Sequence, residues 1–333
     1  MANRPWFFGD FNTIRLEKHF ILERNSITIF LAPTSFARNS LAPLELLEAK
    51  GYNIDLNRLE KKLSKKDIIS MVSSCDAVLA GTEIYDRDIL NKSQKLRVIS
   101  RLGVGLDNID LEYAKKKNIK VYRTQTNHAL PVAELTLGLI LDILRKISLQ
   151  SSRMKAGTWQ KTMGSLCSRK TLGIIGLGNI GKQLVRLTMG FDLNYLAYDI
   201  NVDEKFALRN NVKYCELDEL LVQSDILSIH LNLTRGTENL INSNSLSKMK
   251  RNAILINTSR GPIVSEKDLI DALESKLISG VGLDVFQEEP YTGPLLKYDN
   301  VVTTPHIGTY AQEIREQMEM EAAKNLIKGL EDD

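Results

Sequence analysis

The chain has 333 residues, 43% hydrophobic and 26% charged, with 44 basic against 41 acidic side chains and a formal net charge of +3. At ~100–200 residues per domain this length predicts about two domains, and the composition excludes a disordered, collagen-like or disulfide-scaffolded chain. The charge balance speaks against a nucleic-acid partner: the lysine runs at Lys61-Lys62, Lys65-Lys66 and 115–117 are short and sit beside acids or apolar residues, as on solvated helix faces.

Residues 1–25 place Trp6, Phe7, Phe8 and Phe11 close together and are weakly helical over 15–24. They read as an extra covering element, with a partner-binding arm as the sharper alternative. Short apolar runs at 27–32 (ITIFLA), 77–80, 97–101 and 119–122 read as buried strands, and 44–50 as a helix stopped by Gly51. A turn is expected at 126–130. A helix is then expected from Pro131, apolar nearly all round and therefore covered on several sides, by a domain core or a second subunit. The polar stretch 148–169 reads as a loop or arm. A second series of strands follows at 172–175, 195–198, 226–230, 253–257, 280–283 and 301–303, with helices between, and 311–329 reads as a last helix ending at Gly329. Strand–helix alternation of this kind implies parallel sheets in an α/β fold.

Three widely spaced cysteines, Cys75, Cys167 and Cys215, form no CxxC pair, so no disulfide frame and no metal site is expected and a cytoplasmic location fits. The first ten residues lack the apolar core of a signal peptide. The most apolar stretch, 132–147, carries Glu134, Asp142, Arg145 and Lys146. It falls short of the ~18 apolar residues of a membrane span.

Gly176, Gly178 and Gly181 form GxGxxG between a strand-like and a helix-like run. The first glycine permits a tight turn, the second lets a pyrophosphate approach the backbone, and the third allows close helix–strand packing. The helix start offers unpaired N–H groups and a positive dipole to the phosphates. Asp199 ends the next strand at the ~20-residue offset expected of the acid that takes the ribose hydroxyls. Residues 200–204 offer no arginine for a 2′-phosphate, so NAD is expected rather than NADP.

Arg260, His306 and a glutamate, Glu289 or its neighbour Glu288, each follow a predicted strand, where open α/β sheets collect functional side chains. Together they supply what reduction of a 2-oxo acid needs. Arginine holds a carboxylate through paired hydrogen bonds and polarises the adjacent carbonyl. Histidine gives a proton to the forming alkoxide, and a neighbouring carboxylate stabilises the imidazolium and fixes its tautomer. His230 also ends a strand and is expected to line the cofactor cleft; His19 and His128 lack such a setting.

The ordered segments RLGVGLDNIDLEYA from Arg101, VAELTLGLIL from Val132, KTLGIIGLGNIG from Lys170, INTSRGPIV from Ile256, GLDVFQEEP from Gly282 and TPHIG from Thr304 resemble the D-isomer-specific 2-hydroxyacid dehydrogenases, most of all their 3-phosphoglycerate dehydrogenase branch. The resemblance implies two Rossmann-like domains with parallel sheets and a cleft between them. One is a flavodoxin-like substrate domain from 1–125 and 309–333. The other is a doubly wound NAD domain from 126–308, whose helix and arm at 131–169 form a homodimer interface. It implies Arg260 as substrate binder, His306 as acid/base and Glu289, the residue directly before proline, as its orienting partner. Backbone N–H groups of Leu102, Gly103, Val104 and Gly105 would contact the substrate carboxylate. Val104, Gly176, Gly178, Asn179, Ile180, Gly181, Asp199, His230, Leu231, Thr258, Ser259, Asp284 and Gly308 would contact the cofactor, Asp284 through the nicotinamide amide. The implied activity is reversible hydride transfer between NAD(H) and a small 2-hydroxy acid, with 3-phosphoglycerate/phosphohydroxypyruvate expected. Glyoxylate/hydroxypyruvate reduction and an NAD(H)-gated, corepressor-like binding role are the alternatives. Three features depart from the phosphoglycerate pattern. The strand at 77–80 runs into Gly81-Thr82-Glu83 with no arginine before Arg87, only 27 residues follow His306, leaving no room for an effector-sensing domain, and the N-terminal extension has no counterpart.

Overall fold

Apolar runs without polar alternation predict strands covered on both faces, and the interior strands fold that way. The computed structural model describes residues 27–57 and 63–332; the aromatic extension and Lys61-Lys62 lie outside the described residues. The first half runs β1 (Thr28–Leu31), α1 (Ala42–Glu48), β2 (Asn53–Leu56), α2 (Lys65–Val72), β3 (Ala77–Ala80), α3 (Arg87–Lys92), β4 (Val98–Arg101), α4 (Leu111–Lys116) and β5 (Lys120–Arg123). Two helices, α5 (Ala129–Arg145) and α6 (Ile147–Lys155), lead into the second half. That half runs β6 (Thr171–Ile175), α7 (Asn179–Thr188), β7 (Asn194–Tyr198), α8 (Glu204–Arg209), β8 (Val212–Tyr214), α9 (Leu217–Gln223), β9 (Ile226–Ile229), α10 (Ser243–Lys248), β10 (Ile254–Asn257), α11 (Glu266–Glu274), β11 (Gly280–Leu283) and β12 (Val301–Thr303). The final helix is α12 (Gln312–Glu331).

The strands make two sheets, ordered β2-β1-β3-β4-β5 and β12-β11-β10-β9-β6-β7-β8, with every pairing parallel. The first has the flavodoxin-type order and the second the doubly wound dinucleotide-binding order. In the second sheet β6 has β7 on one side and β9 on the other, so strand order reverses there and opens a crevice at the carboxyl ends. Strands β3, β4, β9, β10 and β11 are buried at every position.

Five elements differ from the sequence reading. Strands β2 and β8 were not anticipated: both lie at sheet edges, where a partly exposed strand (NIDL, VKY) carries no apolar run. Helix α5 begins at Ala129, two residues before Pro131, because proline's missing N–H costs nothing anywhere in the first turn. Its apolar surface packs on α7, β10, β11 and β12. The polar arm begins as α6, and 156–170 is irregular. Gly329 does not end the last helix. A Cβ there would stand 2.7 Å from both the Tyr122 ring and Val98 Cγ1, so this glycine lets α12 lie directly on the first sheet. Met318, Ala322, Ala323, Leu326 and Leu330 of α12 share a core with Ile29, Leu31, Ala77 and Val98. Among the described residues no helix is long and apolar enough to cross a membrane.

In an open helix interior, Gly→Ala stabilises by about 1 kcal/mol. Gly329→Ala is expected to do the opposite, lowering stability by about 1–3 kcal/mol through overpacking; urea unfolding of the two proteins gives the sign.

Candidate active site

A cleft of about 1070 Å³ opens at the carboxyl ends of both sheets, lined from one side by residues after β1, β3 and β4 and from the other by residues after β9, β10, β11 and β12. Leu102, Gly103, Val104, Gly105, Ile180, His230, Leu231, Thr258, Ser259, Arg260, Asp284, Glu289, His306 and Gly308 all line it. The glycine turn, Asn179 and Asp199 lie outside this lining. His128 lines it as well, which the sequence gave no reason to expect.

His306 Nδ1 is 2.8 Å from Glu289 Oε2, and Glu289 Oε1 accepts the Phe286 N–H at 3.2 Å. Glu288 is exposed, and of the two glutamates it is Glu289 that meets His306. With the carboxylate as acceptor this pair makes Nδ1 the protonated nitrogen and leaves Nε2 without its hydrogen. The backbone of His306 is left-handed, at φ 54°, a conformation uncommon for non-glycine residues. Asp284 imposes it: Oδ1 accepts the Thr304 hydroxyl at 2.6 Å and the Ile307 N–H at 2.8 Å, and Oδ2 accepts the Gly308 N–H at 2.8 Å. Burial raises the Asp284 carboxyl above its ordinary range, against the pull of these donors and of His306. The sequence pointed to Asp284 for a cofactor contact; its role as the clasp of the His306 loop was not legible.

On the same wall, Arg260 is gripped from across the cleft by Asp107, with Nε at 3.2 and 3.1 Å from the two carboxylate oxygens and Nη2 at 3.0 Å from Oδ1. Burial pushes the Asp107 carboxyl up, but the hydrogen bond and charge of Arg260 outweigh it and hold it below the usual range. Arg101, at the end of β4, is buried beside Glu83, and its Nε has no hydrogen-bond partner among the described residues. Burial first, then the charge of Arg260, lowers it to about 10. Glu83 is also buried and accepts the Gly81 N–H at 2.7 Å. The lining contains Arg101, Arg123, Arg260 and Arg315 against Glu83, Asp107, Asp284 and Glu289, a balanced set. Asp107, Arg101 and Glu83 were missed as site residues. Asp107 and Arg101 lie within the RLGVGLDNIDLEYA segment, but nothing local marks them as facing a cleft.

Of the four N–H groups in the loop after β4, two are already engaged. Leu102 donates to the Ala80 carbonyl at 2.8 Å, and Gly103 to the Thr124 hydroxyl at 3.0 Å. Val104 and Gly105 have no such partner among the described residues.

The turn after β6 fits a dinucleotide. Gly176 is left-handed at φ 94°, and a Cβ there would stand 2.5 Å from the His230 carbonyl oxygen; one on Gly181 would stand 2.5 Å from that of Gly176. A Cβ on Gly178, by contrast, meets nothing within 4 Å, and no side chain caps the α7 N-terminus that it begins. The backbone is thus tight where it must turn and open where phosphates would approach. Asp199 follows β7 with Oδ1 accepting the Asn201 N–H at 2.8 Å. The His230 ring, 2.8 Å from the Ser228 hydroxyl through Nε2, keeps a buried Nδ1 without a partner among the described residues. Burial lowers it to about 4, so it stays neutral. No group of residues that could hold a metal occurs among those described.

The family model described as D-isomer specific 2-hydroxyacid dehydrogenase, NAD binding domain, matches residues 137–308. The chain is 37% identical over 292 residues to a hydroxypyruvate reductase of Thermotoga maritima, covering 86% of this chain and 92% of that one. It is 39% identical to a glyoxylate reductase of Thermofilum pendens, covering 80% and 82%. It is 36% identical to a D-3-phosphoglycerate dehydrogenase of Methanocaldococcus jannaschii, covering 80% of this chain but 52% of that protein. Among solved structures, D-lactate dehydrogenase of Aquifex aeolicus complexed with NAD and lactic acid superposes with a TM-score of 0.80 at 28% identity, covering 92% and 96%.

Asp284→Asn keeps one acceptor but turns an amide N–H toward the Gly308 N–H. It is expected to cost about 1–3 kcal/mol in urea unfolding and to lower turnover more than it weakens NADH binding, followed by fluorescence.

Proposed function

Because the chain belongs to the D-isomer specific 2-hydroxyacid dehydrogenase family, NAD-dependent oxidoreductases acting on CH–OH groups, we propose that Arg260, Glu289 and His306 carry its chemistry on a small unphosphorylated 2-oxo acid such as glyoxylate or hydroxypyruvate. The observation that carries the catalytic reading is the 2.8 Å His306–Glu289 pair set in the same cleft as Arg260. Arg260 N–H groups hold the substrate carboxylate and polarise the adjacent carbonyl, with the N–H groups of Val104 and Gly105 completing the carboxylate site. His306 Nε2 gives a proton to the alkoxide during reduction and takes it back during oxidation, and Glu289 stabilises the imidazolium meanwhile. NAD(H), when bound, donates or accepts the hydride. The residues to hold it are Gly176, Gly178, Asn179, Ile180 and Gly181 at the phosphates, Asp199 at the ribose, and Val104, His230, Leu231, Thr258, Ser259, Asp284 and Gly308 toward the nicotinamide.

The choice of substrate follows from charge. A phosphate ester brings ~1.5–2 further negative charges into a cleft whose four lining arginines are already equalled in number by four lining carboxylates, the buried Glu83 among them. Phosphohydroxypyruvate is the second reading, favoured by the Arg101 Nε, which has no partner among the described residues.

The chain is further proposed to divide into a substrate domain of 1–125 and 309–333 and an NAD domain of 126–308, and to work in the cytoplasm, where its free cysteines would stay reduced. It is proposed to form a homodimer through the arm after α5. There α6 buries none of its residues, and Trp159, Met163 and Leu166 are 80%, 89% and 72% exposed, apolar surface that a second copy would cover.

Arg260→Ala and His306→Ala are each expected to cut kcat/KM for glyoxylate or hydroxypyruvate by about 10²–10⁴-fold. Wild-type rates in both would end the catalytic reading, and a preference for phosphohydroxypyruvate would favour the second substrate. Sedimentation should show a dimer, and Trp159→Ala with Met163→Ala should shift it toward monomer; a monomeric wild type would exclude the arm as an interface.

A further inference from the structure

Arginine has a long, freely rotating side chain, and a ligand that uses it must first immobilise it. In this cleft that immobilisation is built in. Nε and Nη2 of Arg260 donate to Asp107 at 3.0–3.2 Å, and Nη1 donates to the Ser259 carbonyl at 2.7 Å. Three of the five N–H groups of a guanidinium are thereby engaged on two sides, which fixes the rotation of its plane and leaves two for a ligand. The grip comes from the opposite wall: Asp107 belongs to the loop after β4 of the first sheet, and Arg260 follows β10 of the second. Gly105 lies beneath the pair, where a Cβ would stand 1.9 Å from Arg260 Nη2 and 2.6 Å from Asp107 Oδ1. The backbone is bare where the pair crosses it, and the same glycine carries one of the two open N–H groups of that loop.

We infer that Asp107 is a positioning residue: from across the cleft it sets the place and plane of the Arg260 guanidinium, so that the two remaining N–H groups meet the substrate carboxylate and carbonyl. The inference rests on the role of Arg260 proposed above. It also makes the pair a link between the walls, since a correctly aimed guanidinium requires the loop after β4 and the loop after β10 to stand at hydrogen-bonding distance. The low-lying titration of Asp107 keeps it charged throughout the neutral range.

The test is a double-mutant cycle read with glyoxylate and hydroxypyruvate, each variant normalised to its NADH-binding sites. Asp107→Asn should lower kcat/KM by about 10- to 100-fold, mostly through KM, with NADH affinity unchanged, and Asp107→Glu should recover part of the loss. In an Arg260→Ala background the same Asp107→Asn change should alter kcat/KM by less than about twofold, because its effect runs through the arginine. If Asp107→Asn is as active as wild type while Arg260→Ala is crippled, the positioning role is wrong although the arginine assignment stands. Equal losses from Asp107→Asn in both backgrounds would also overturn it, pointing to a fold contribution. A fully active Arg260→Ala would remove the premise itself. Should Asp107→Asn fold poorly, Asp107→Ser measured the same way serves the cycle.

Discussion

A parallel strand covered on both faces has little room for a charged side chain except near its ends, and in open α/β sheets the functional ones gather at the carboxyl end; this constraint organises the whole molecule. Interior strands such as β3, β9 and β11 are apolar or small along their length, and polarity begins as the chain leaves the sheet. Arg101 closes β4, Asn257 closes β10, and His230 and Asp284 come directly after β9 and β11. With two such sheets turned toward one cleft, residues far apart in sequence become one chemical surface. The core supplies stability through apolar burial, and the strand ends, freed from that duty, supply the site.

The second principle at work is that groups withdrawn from water must find partners. The cleft obeys it almost everywhere: Arg260 with Asp107, His306 with Glu289, and Arg315 with Glu319 at 2.8 Å. The exceptions are informative. The Nε of Arg101 and the Nδ1 of His230 are buried without partners among the described residues, and both belong to side chains that line the cleft. The same economy governs backbone strain. A left-handed histidine costs about 1–3 kcal/mol, and the three hydrogen bonds to the Asp284 carboxylate hold the 304–308 loop in place against it.

How much was legible in the sequence follows from the same physics. Strands buried on both faces announce themselves as uninterrupted apolar runs, so β1, β3, β4 and β6 could be read directly, whereas β2 and β8 sit at edges and carry no such run. The glycine turn could be read because its three positions have different steric duties within six residues. Arg260, Glu289 and His306 could be singled out because each follows a strand and the resemblance assigns each a part. Asp107 could not: its importance lies in reaching a residue 153 positions away, and nothing in its own neighbourhood records that. Gly329 misled for a related reason. A glycine near a helix end reads as a stop, but this one is a gap cut for Tyr122 and Val98.

The return of α12 to the first sheet also bears on the order in which the chain acquires its structure. One face of that sheet is closed by Met318, Ala322, Ala323, Leu326 and Leu330, while the strands they cover lie between Thr28 and Arg123. The second sheet, by contrast, draws all its strands from one uninterrupted stretch, Thr171–Thr303. During synthesis the middle of the chain can therefore complete its core while the earlier strands still wait with an apolar face uncovered. The first sheet thus emerges before the second and is sealed only by a helix made after it, so its exposure to aggregation or chaperones outlasts synthesis of the entire second sheet.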